Sequence, residues 1–376
     1  MKILYFTRDY TTHDRYFLLK MAESRHKIFF LRLEDDGITY EKRPLPEGVI
    51  PIEWRGGKQS LKKPEDWLRL MPDFCSVIDN VKPDLVHAGP VQSCGFMTAL
   101  AGFHPFLLMS WGSDILVDAF RNDFWRWITK YTIDRSDYFY CDCQAVKDKI
   151  KDITNYKDEN ILQHSWGVDL DEFGHGPDKT NLKERLLWKD KIVVLSTRTW
   201  EPLYGVDILL KAFQQAYSNN DKLRLILIGD GSQAEKVQKF IRENNLQEIV
   251  YLPGRLAHEQ IPDVFRACDI YISCSYSDGS SISLLEAMTT GLPVVVTDCE
   301  SNREWIMHGE NGWLVPQGDF NQFAEFLLSA SEITTADRER IKISNRKISE
   351  SLADRERNFV RLNDLYDKIE KRLGKS

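Results

Sequence analysis

The chain has 376 residues, 42% of them hydrophobic, enough to bury two cores of ordinary domain size. A formal net charge of −7 without a long basic run argues against a nucleic-acid polymer as partner. The opening MKILYF is too short an apolar run for a secretion signal and suits a buried strand.

Apolar runs of strand length occur at Lys2 to Phe6, Lys27 to Leu31, Asp84 to His87, Phe106 to Ser110 and Tyr138 to Cys141, with helical stretches between them. That alternation predicts a first parallel-sheet domain. Within it, Arg55-Gly56-Gly57-Lys58 with Lys62 and Lys63 is the basic cluster. It reads as a solvated loop, with an anionic lipid headgroup or lipid phosphate as the alternative ligand. The apolar stretch from Phe96 to Trp111 is broken by Gly102, His104 and Pro105, so it reads as helix, turn and strand and not as a membrane span. Phe120, Phe124, Trp127, Ile128 and Tyr131 form a helical stripe. Core packing is its expected use over membrane contact, because an interfacial helix normally adds a strongly basic face.

Seven cysteines occur without a C-x-x-C pair. Cys141 and Cys143 point the same way on a strand, but a lone couple lacks the further ligands that zinc requires. No metal site is expected, and reduced cysteines fit a cytosolic protein.

Lys191 to Ser196, Leu223 to Ile228, Ile249 to Leu252, Ile270 to Ser273 and Pro293 to Thr297 repeat the strand plan and predict a second doubly wound domain. Phe173-Gly174-His175-Gly176-Pro177 is the richest cluster of backbone breakers and marks the expected hinge. The expected division is therefore 1–172, 173–357 and a final helix over 358–376. In that helix Phe359, Leu362, Leu365, Tyr366, Ile369 and Leu373 recur at spacings of three and four. The stripe must dock, either on this chain or in a dimer interface.

The richest segment runs from Ser277 to Val315. Asp278 and Glu286 bracket Gly279, Ser280, Ser281, Ile282 and Ser283, just where a helix-forming LLEAM run begins. A helix start there presents unpaired N–H groups and a positive dipole end to an anion. The flanking carboxylates suit sugar hydroxyls, so the pattern fits a phosphate joined to sugars. The bland alternative is that Ser283 and Glu286 form an ordinary capping box. After GLPVVVT come a loop with Asn302, Arg303 and Glu304 and the turn Asn311-Gly312.

This segment resembles the signature of family 4 glycosyltransferases, retaining enzymes of the GT-B fold. The shared pattern is an acidic residue, seven positions, Glu286 opening EAM, then GLPV, the loop Glu304 and NGWLV. It extends through Ile228-Gly-Asp-Gly231, Leu252-Pro-Gly-Arg255 and Ala267-Cys-Asp-Ile-Tyr-Ile-Ser273. In the first half, Pro83-Asp-Leu-Val-His87, Trp111-Gly-Ser-Asp114 and Gly167-Val-Asp169 with Phe173 are similar to family landmarks. The resemblance implies two Rossmann-like α/β domains facing across a cleft, the first binding the acceptor and the second a nucleotide-sugar, with the last helix crossing back to the first. It implies that Glu286 binds ribose, that Asp278 binds the transferred sugar, and that Gly279, Ser280, Ser281 and Ile282 cradle the distal phosphate. Arg198 matches the family's phosphate-binding arginine, with Gly229, Gly231 and Arg255 as further donor-site residues. His87, Trp111, Ser113 and Asp114 fall on the acceptor side, where Asp114 either orients the acceptor or caps a helix. No cofactor is implied beyond the nucleotide-sugar substrate. The acceptor is then a sugar, lipid-linked or small-molecule hydroxyl, and the setting is cytoplasmic, with peripheral contact at the inner membrane face as an extension.

Three departures from the family pattern stand out. Thr7-Arg8-Asp9-Tyr10-Thr11 replaces a glycine-rich loop. Tyr204 stands where a lysine usually follows the arginine, so either Arg8, Arg255 or Arg303 compensates or phosphate binding is weaker. Trp111 takes the place of a histidine beside the acceptor and suits a stacking wall. Two rival readings share the fold: a nucleotide-sugar epimerase and a non-catalytic binding module.

Overall fold

Parallel strands buried on both faces need near-continuous apolar sequence, and the strand runs of this chain are of that kind. The computed structural model describes residues 1–58, 60–61 and 64–374. Two compact units emerge, one made of residues 1–164 with 357–376, the other of residues 165–356.

The first unit carries β1 (Lys2–Thr7), β2 (Lys27–Arg32), β3 (Val49–Pro51), β4 (Leu85–Ala88), β5 (Phe106–Met109), β6 (Tyr138–Cys141) and β7 (Ile161–Gln163). They form one sheet in the order β3-β2-β1-β4-β5-β6-β7, every pair parallel. The second unit carries β8 (Ile192–Ser196), β9 (Leu223–Ile228), β10 (Val250–Gly254), β11 (Ile270–Ser273), β12 (Val294–Thr297) and β13 (Trp313–Val315), in the order β10-β9-β8-β11-β12-β13. Its pairs are parallel too. Strand order reverses between β1 and β4 in the first sheet and between β8 and β11 in the second. Loops leaving the carboxyl ends of such strand pairs diverge and open a crevice, which is where ligands bind in this class.

Side chains along the strands alternate between two cores. In β8, Val194 packs on one side of its sheet, with Leu209, Phe213 and Leu227, whereas Val193 and Leu195 pack on the other with Phe265, Leu284 and Leu285. The expected hinge at Phe173 lies inside the second unit: Phe173 is fully buried against Phe265, and His175 Nδ1 sits 2.7 Å from the Thr290 carbonyl. The chain passes from one unit to the other before this cluster, because an aromatic ring in its midst has a core to fill. The last helix, Arg355–Arg372, buries Phe359, Leu362, Tyr366 and Ile369. Tyr366 Oη lies 2.7 Å from His87 Nδ1, and Phe359 lies 6.2 Å from Phe17, so the stripe is satisfied within the chain.

The aromatic stripe of the first half is different. Helix Asp123–Asp134 turns Ile128, Thr129, Thr132 and Ile133 inward, while Phe120, Phe124 and Trp127 remain 38%, 52% and 53% exposed. Core packing is thus the wrong expectation for those three, since a buried face with two threonines competes with the aromatic one and takes the inner position. Of the basic loop, Arg55 pairs with Asp73 at 3.2 Å and Lys58 with Glu53 at 3.1 Å. Lys62 and Lys63 lie outside the described residues. Among the described residues, no helix is long and apolar enough to cross a membrane.

Candidate active site

The loops leaving β8 and β11, the neighbouring strands where the second sheet reverses, bring Arg198 and Asp278 together. Arg198 Nη2 lies 2.8 Å from Asp278 Oδ2, and its Nη1 donates to Ser281 Oγ at 3.1 Å. The guanidinium carbon sits 4.2 Å from the Tyr204 ring centre, so the residue standing in for the family's lysine is a stacking platform for the arginine. Tyr204 is placed by the turn Pro202–Tyr204 and by Gly205, whose φ of +60° and close approach to the Cys274 carbonyl exclude a side chain. Burial works against both charges. It raises the Asp278 pKa even with Arg198 opposing, whereas Asp278, Tyr204 and Tyr271 outweigh burial at Arg198 and hold the guanidinium charged.

Helix Ile282–Thr290 begins immediately beyond this pair. Ser281 occupies the cap position with extended backbone but no side-chain cap bond, which leaves the first-turn N–H groups open to an anion. Glu286 lies too far along the helix to close a capping box, so that reading of Ser283 and Glu286 fails. Among the described residues nothing hydrogen-bonds or ion-pairs with the Glu286 carboxylate. Burial pushes its pKa up to about 7, although Arg355 and His258 pull the other way. Glu172 adds to the rise, and its Oε2 lies 3.1 Å from His258 Nε2. His258, Glu172 and Arg355 had no signal in the sequence, since they come from separate loops and from the start of the last helix.

Gly229 and Gly231 follow β9 and pack against the Arg198 loop. A Cβ at Gly229, where φ is +134°, would meet the Arg198 carbonyl at 2.6 Å, and one at Gly231 would meet the Trp200 carbonyl and Glu201 Oε1 at 2.7 Å. Their glycine character is thus set by loop-on-loop contact. Gly279 and Ser280 are buried beside Asp278, and Ile282 is half-buried. Arg255 is exposed at the end of β10. Arg303 is committed to Asp298 at 2.6 Å, and Arg8 to Glu34, so neither is an idle substitute for the lysine.

In the first unit, loops leaving β1, β2, β4 and β5 line a cavity of about 360 Å³ with Arg8, Asp9, Glu34, Tyr40, Pro90 and Trp111. Burial raises Asp9 to about 6. Trp111 lines this cavity, and Ser113 opens the short helix that follows it. His87 requires correction: it is fully buried within β4 and bonded to Tyr366, and burial drives its pKa down to about 3, so it is a core residue. Asp114 is buried, and its oxygens accept from Ser110 Oγ, from Trp111 N and Ile115 N, and from Val91 N. With its acceptor capacity taken up in that way, it shapes the loop and does not face a ligand.

Cys141 and Cys143 are buried in the first core. Among the described residues, the one group with metal-ligand geometry is His26, Asp367 and Glu370, where Arg25 already reaches both carboxylates.

Residues 2–143 match the family described as Glycosyl transferase 4-like, and residues 178–348 match Glycosyl transferases group 1. The amylovoran biosynthesis glycosyltransferase AmsK of Erwinia amylovora is 28% identical over 171 residues, 44% of this chain and 42% of that protein. The uncharacterized glycosyltransferase MJ1178 of Methanocaldococcus jannaschii is 26% identical over 259 residues, 67% of each chain. The chain therefore spans between two fifths and two thirds of these relatives. Among solved structures, Anabaena Alr3699/HepE in complex with UDP and glucose is similar with a TM-score of 0.80 at 20% identity, over 98% of this chain and 99% of that one. The reversal of both parallel sheets, the ordered motifs on their strand ends and these matches agree: the chain belongs to the family 4-type glycosyltransferases of the GT-B fold.

Proposed function

We propose that the protein transfers a hexosyl or N-acetylhexosaminyl group from a nucleoside diphosphate sugar to an acceptor hydroxyl in glycoconjugate or cell-surface polysaccharide synthesis, retaining configuration and using no metal. The observation that carries this reading is the Arg198–Asp278 pair, set beside an open helix start and a buried Glu286 that has no hydrogen-bond or ion-pair partner among the described residues. Arg198 and the helix N–H groups take the diphosphate, Glu286 takes the ribose hydroxyls, and Asp278 takes a hydroxyl of the transferred sugar. Uridine is the base of first choice, given the UDP named with the Anabaena structure. As the anomeric C–O bond to the diphosphate breaks, charge grows on the leaving oxygens, and Arg198 opposes it. The acceptor oxygen forms the new bond on the same face, and its proton passes to a leaving phosphate oxygen.

The acceptor belongs to the cavity of the first unit. Its carboxylates and aromatic walls suit a hydroxyl-rich, uncharged sugar, either free or lipid-linked, and its one lining cation is held by Glu34. Free cysteines, most of them buried, support a cytoplasmic setting.

The test is a panel of nucleotide-sugars in thermal shift, followed by turnover with sugar and lipid-linked acceptors in excess EDTA. A donor at about 100 times its dissociation constant adds roughly 2.7 kcal/mol to the folded state. Turnover is expected to persist in EDTA; complete loss restored by magnesium would contradict the metal-free reading. Free epimerised sugar without acceptor, or binding without turnover, would favour the two rival readings.

Asp278→Asn separates the two ends of the donor. It removes a charged acceptor from the sugar, so turnover is expected to fall about tenfold or more. It also releases Arg198 from its counter-ion, so affinity for free UDP is expected to hold or rise. A parallel loss of UDP affinity, measured by calorimetry, would place Asp278 on the nucleotide and not on the sugar.

A further inference from the structure

We propose that Asp9 recognises the acceptor, one of its carboxylate oxygens taking a hydroxyl of an uncharged sugar in the cavity of the first unit. This rests on the reading of that cavity as the acceptor site. Asp9 lies in the loop leaving β1, where the strand order of the first sheet reverses and ligands of this class bind. The family pattern has glycines in that loop, which offer a ligand only backbone, whereas an aspartate offers a charged side-chain acceptor.

Four carboxylates line the cavity, and hydrogen bonds within the chain tell them apart. Asp14 accepts from Tyr5 Oη on one oxygen and from Thr11 N and Oγ1 on the other. Glu34 spends one oxygen on Arg8 and the other on Leu61 N. Asp36 spends its two on Ile38 N and Tyr40 Oη. Asp9 differs. Its Oδ1 accepts from Tyr10 N at 2.7 Å and faces Arg32 Nη1 at 3.5 Å, while its Oδ2 has no hydrogen-bond partner among the described residues. Arg32 is itself fixed by Asp35 at 2.8 Å and by the Gly57 carbonyl at 3.0 Å, so the anchored oxygen is held firmly. The Asp9 side chain is only 12% exposed. A carboxylate largely withdrawn from water with one oxygen unused lacks a donor, and a sugar hydroxyl supplies it. Charge narrows the ligand further. The lining carries one cation, Arg8, already engaged by Glu34, so an acidic sugar or a sugar phosphate would meet like charge there.

A purely structural Asp9, fastening its own loop, needs only Oδ1, and an amide would serve as well. The test is calorimetric binding of para-nitrophenyl hexosides, their monodeoxy analogues and the matching hexuronosides to the full chain without donor. Parent, Asp9→Asn and Trp111→Ala are compared, with thermal melting as the folding control. In Asp9→Asn the amide carbonyl can keep the bond to Tyr10 while its NH2 replaces Oδ2, so shape is kept and the polarity of the contact reversed. The parent is expected to bind its preferred hexoside about tenfold or more tighter than one monodeoxy analogue and than the uronoside. Asp9→Asn should lower hexoside affinity by about the same factor, leave that deoxy analogue unchanged and narrow the gap to the uronoside. In turnover, acceptor KM should rise while donor KM holds. Hexoside binding lost in Trp111→Ala but retained in Asp9→Asn, with discrimination against the deoxy analogue intact, overturns the proposal and leaves the acceptor reading standing. Hexoside binding indifferent to both variants, or absent from the parent, overturns the acceptor reading of the cavity and this proposal with it.

Discussion

Arg198→Ala is expected to lower kcat by about two orders of magnitude or more, the scale seen when a preorganised donor to a developing oxyanion is removed. The structure makes this substitution more than a loss of one charge. Arg198 neutralises Asp278 at 2.8 Å in a largely buried setting, so its removal leaves a carboxylate without a counter-ion and costs several kcal/mol of stability by the general behaviour of buried pairs. The informative comparison is therefore with Arg198→Ala combined with Asp278→Asn. The double variant should recover thermal stability because no unpaired charge remains, yet stay as slow as Arg198→Ala. Arg198→Lys should regain only part of the rate, since an ammonium lacks the planar fork that reaches Asp278 and Ser281 together and that stacks on Tyr204. Single-turnover rates within twofold of the parent for Arg198→Ala would remove this residue from the chemistry.

Glu286→Gln is expected to move binding and stability in opposite directions. If the carboxylate accepts ribose hydroxyls, replacing it removes charge-assisted hydrogen bonds, and nucleotide affinity falls by roughly 1.5 to 3 kcal/mol. Stability responds the other way. Burial raises the Glu286 pKa to about 7 from its ordinary value, so between those two pH values the folded state holds a proton that the unfolded state has released. Stability contributed by this group is present at low pH and declines as pH rises to about 7, reaching a cost on the order of 3 kcal/mol above it. Glutamine never ionises, so the variant should melt several degrees higher than the parent at pH 8 and nearly level with it at pH 5. Nucleotide affinity of the parent should weaken as pH falls below about 7, and that of the variant should not. A variant that loses stability at pH 8 and binds nucleotide normally would assign Glu286 to the fold.

Much of the architecture could be read from the chain because its strands are apolar on both faces and long enough to stand out. The exceptions are the three-residue edge strands Val49–Pro51, Ile161–Gln163 and Trp313–Val315, which are too short to carry a pattern. Asp278, Glu286 and the glycine-serine turn were legible because one contiguous segment holds them. The ion pair of Asp278 with Arg198 was not, since the partners are 80 positions apart and meet only through the neighbouring places of β8 and β11. Tyr204 read as a missing charge, whereas in space it is the floor beneath Arg198. His87 and Asp114 show the opposite failure: polar residues in recognisable motifs, spent inside the first unit on Tyr366 and on loop amides. Periodicity found the stripe from Phe120 to Tyr131 but could not tell which side faces inward, because Thr129 and Thr132 are as comfortable in a core as any small residue once their hydroxyls bond the helix carbonyls.

On the proposed reading of the site, the guanidinium–carboxylate contact also sets a condition on what can occupy the donor pocket. An anion that draws Arg198 away must give Asp278 a hydrogen-bond donor in exchange, or pay for a stranded carboxylate. A hydroxylated sugar makes that exchange; an anion without an O–H, such as sulfate, cannot. The same rule runs backwards after transfer, when the departing sugar leaves Asp278 to reclaim its arginine and the spent nucleotide loses its counter-ion. Admission of donor and release of product thus become two strokes of one switch, thrown by the sugar itself.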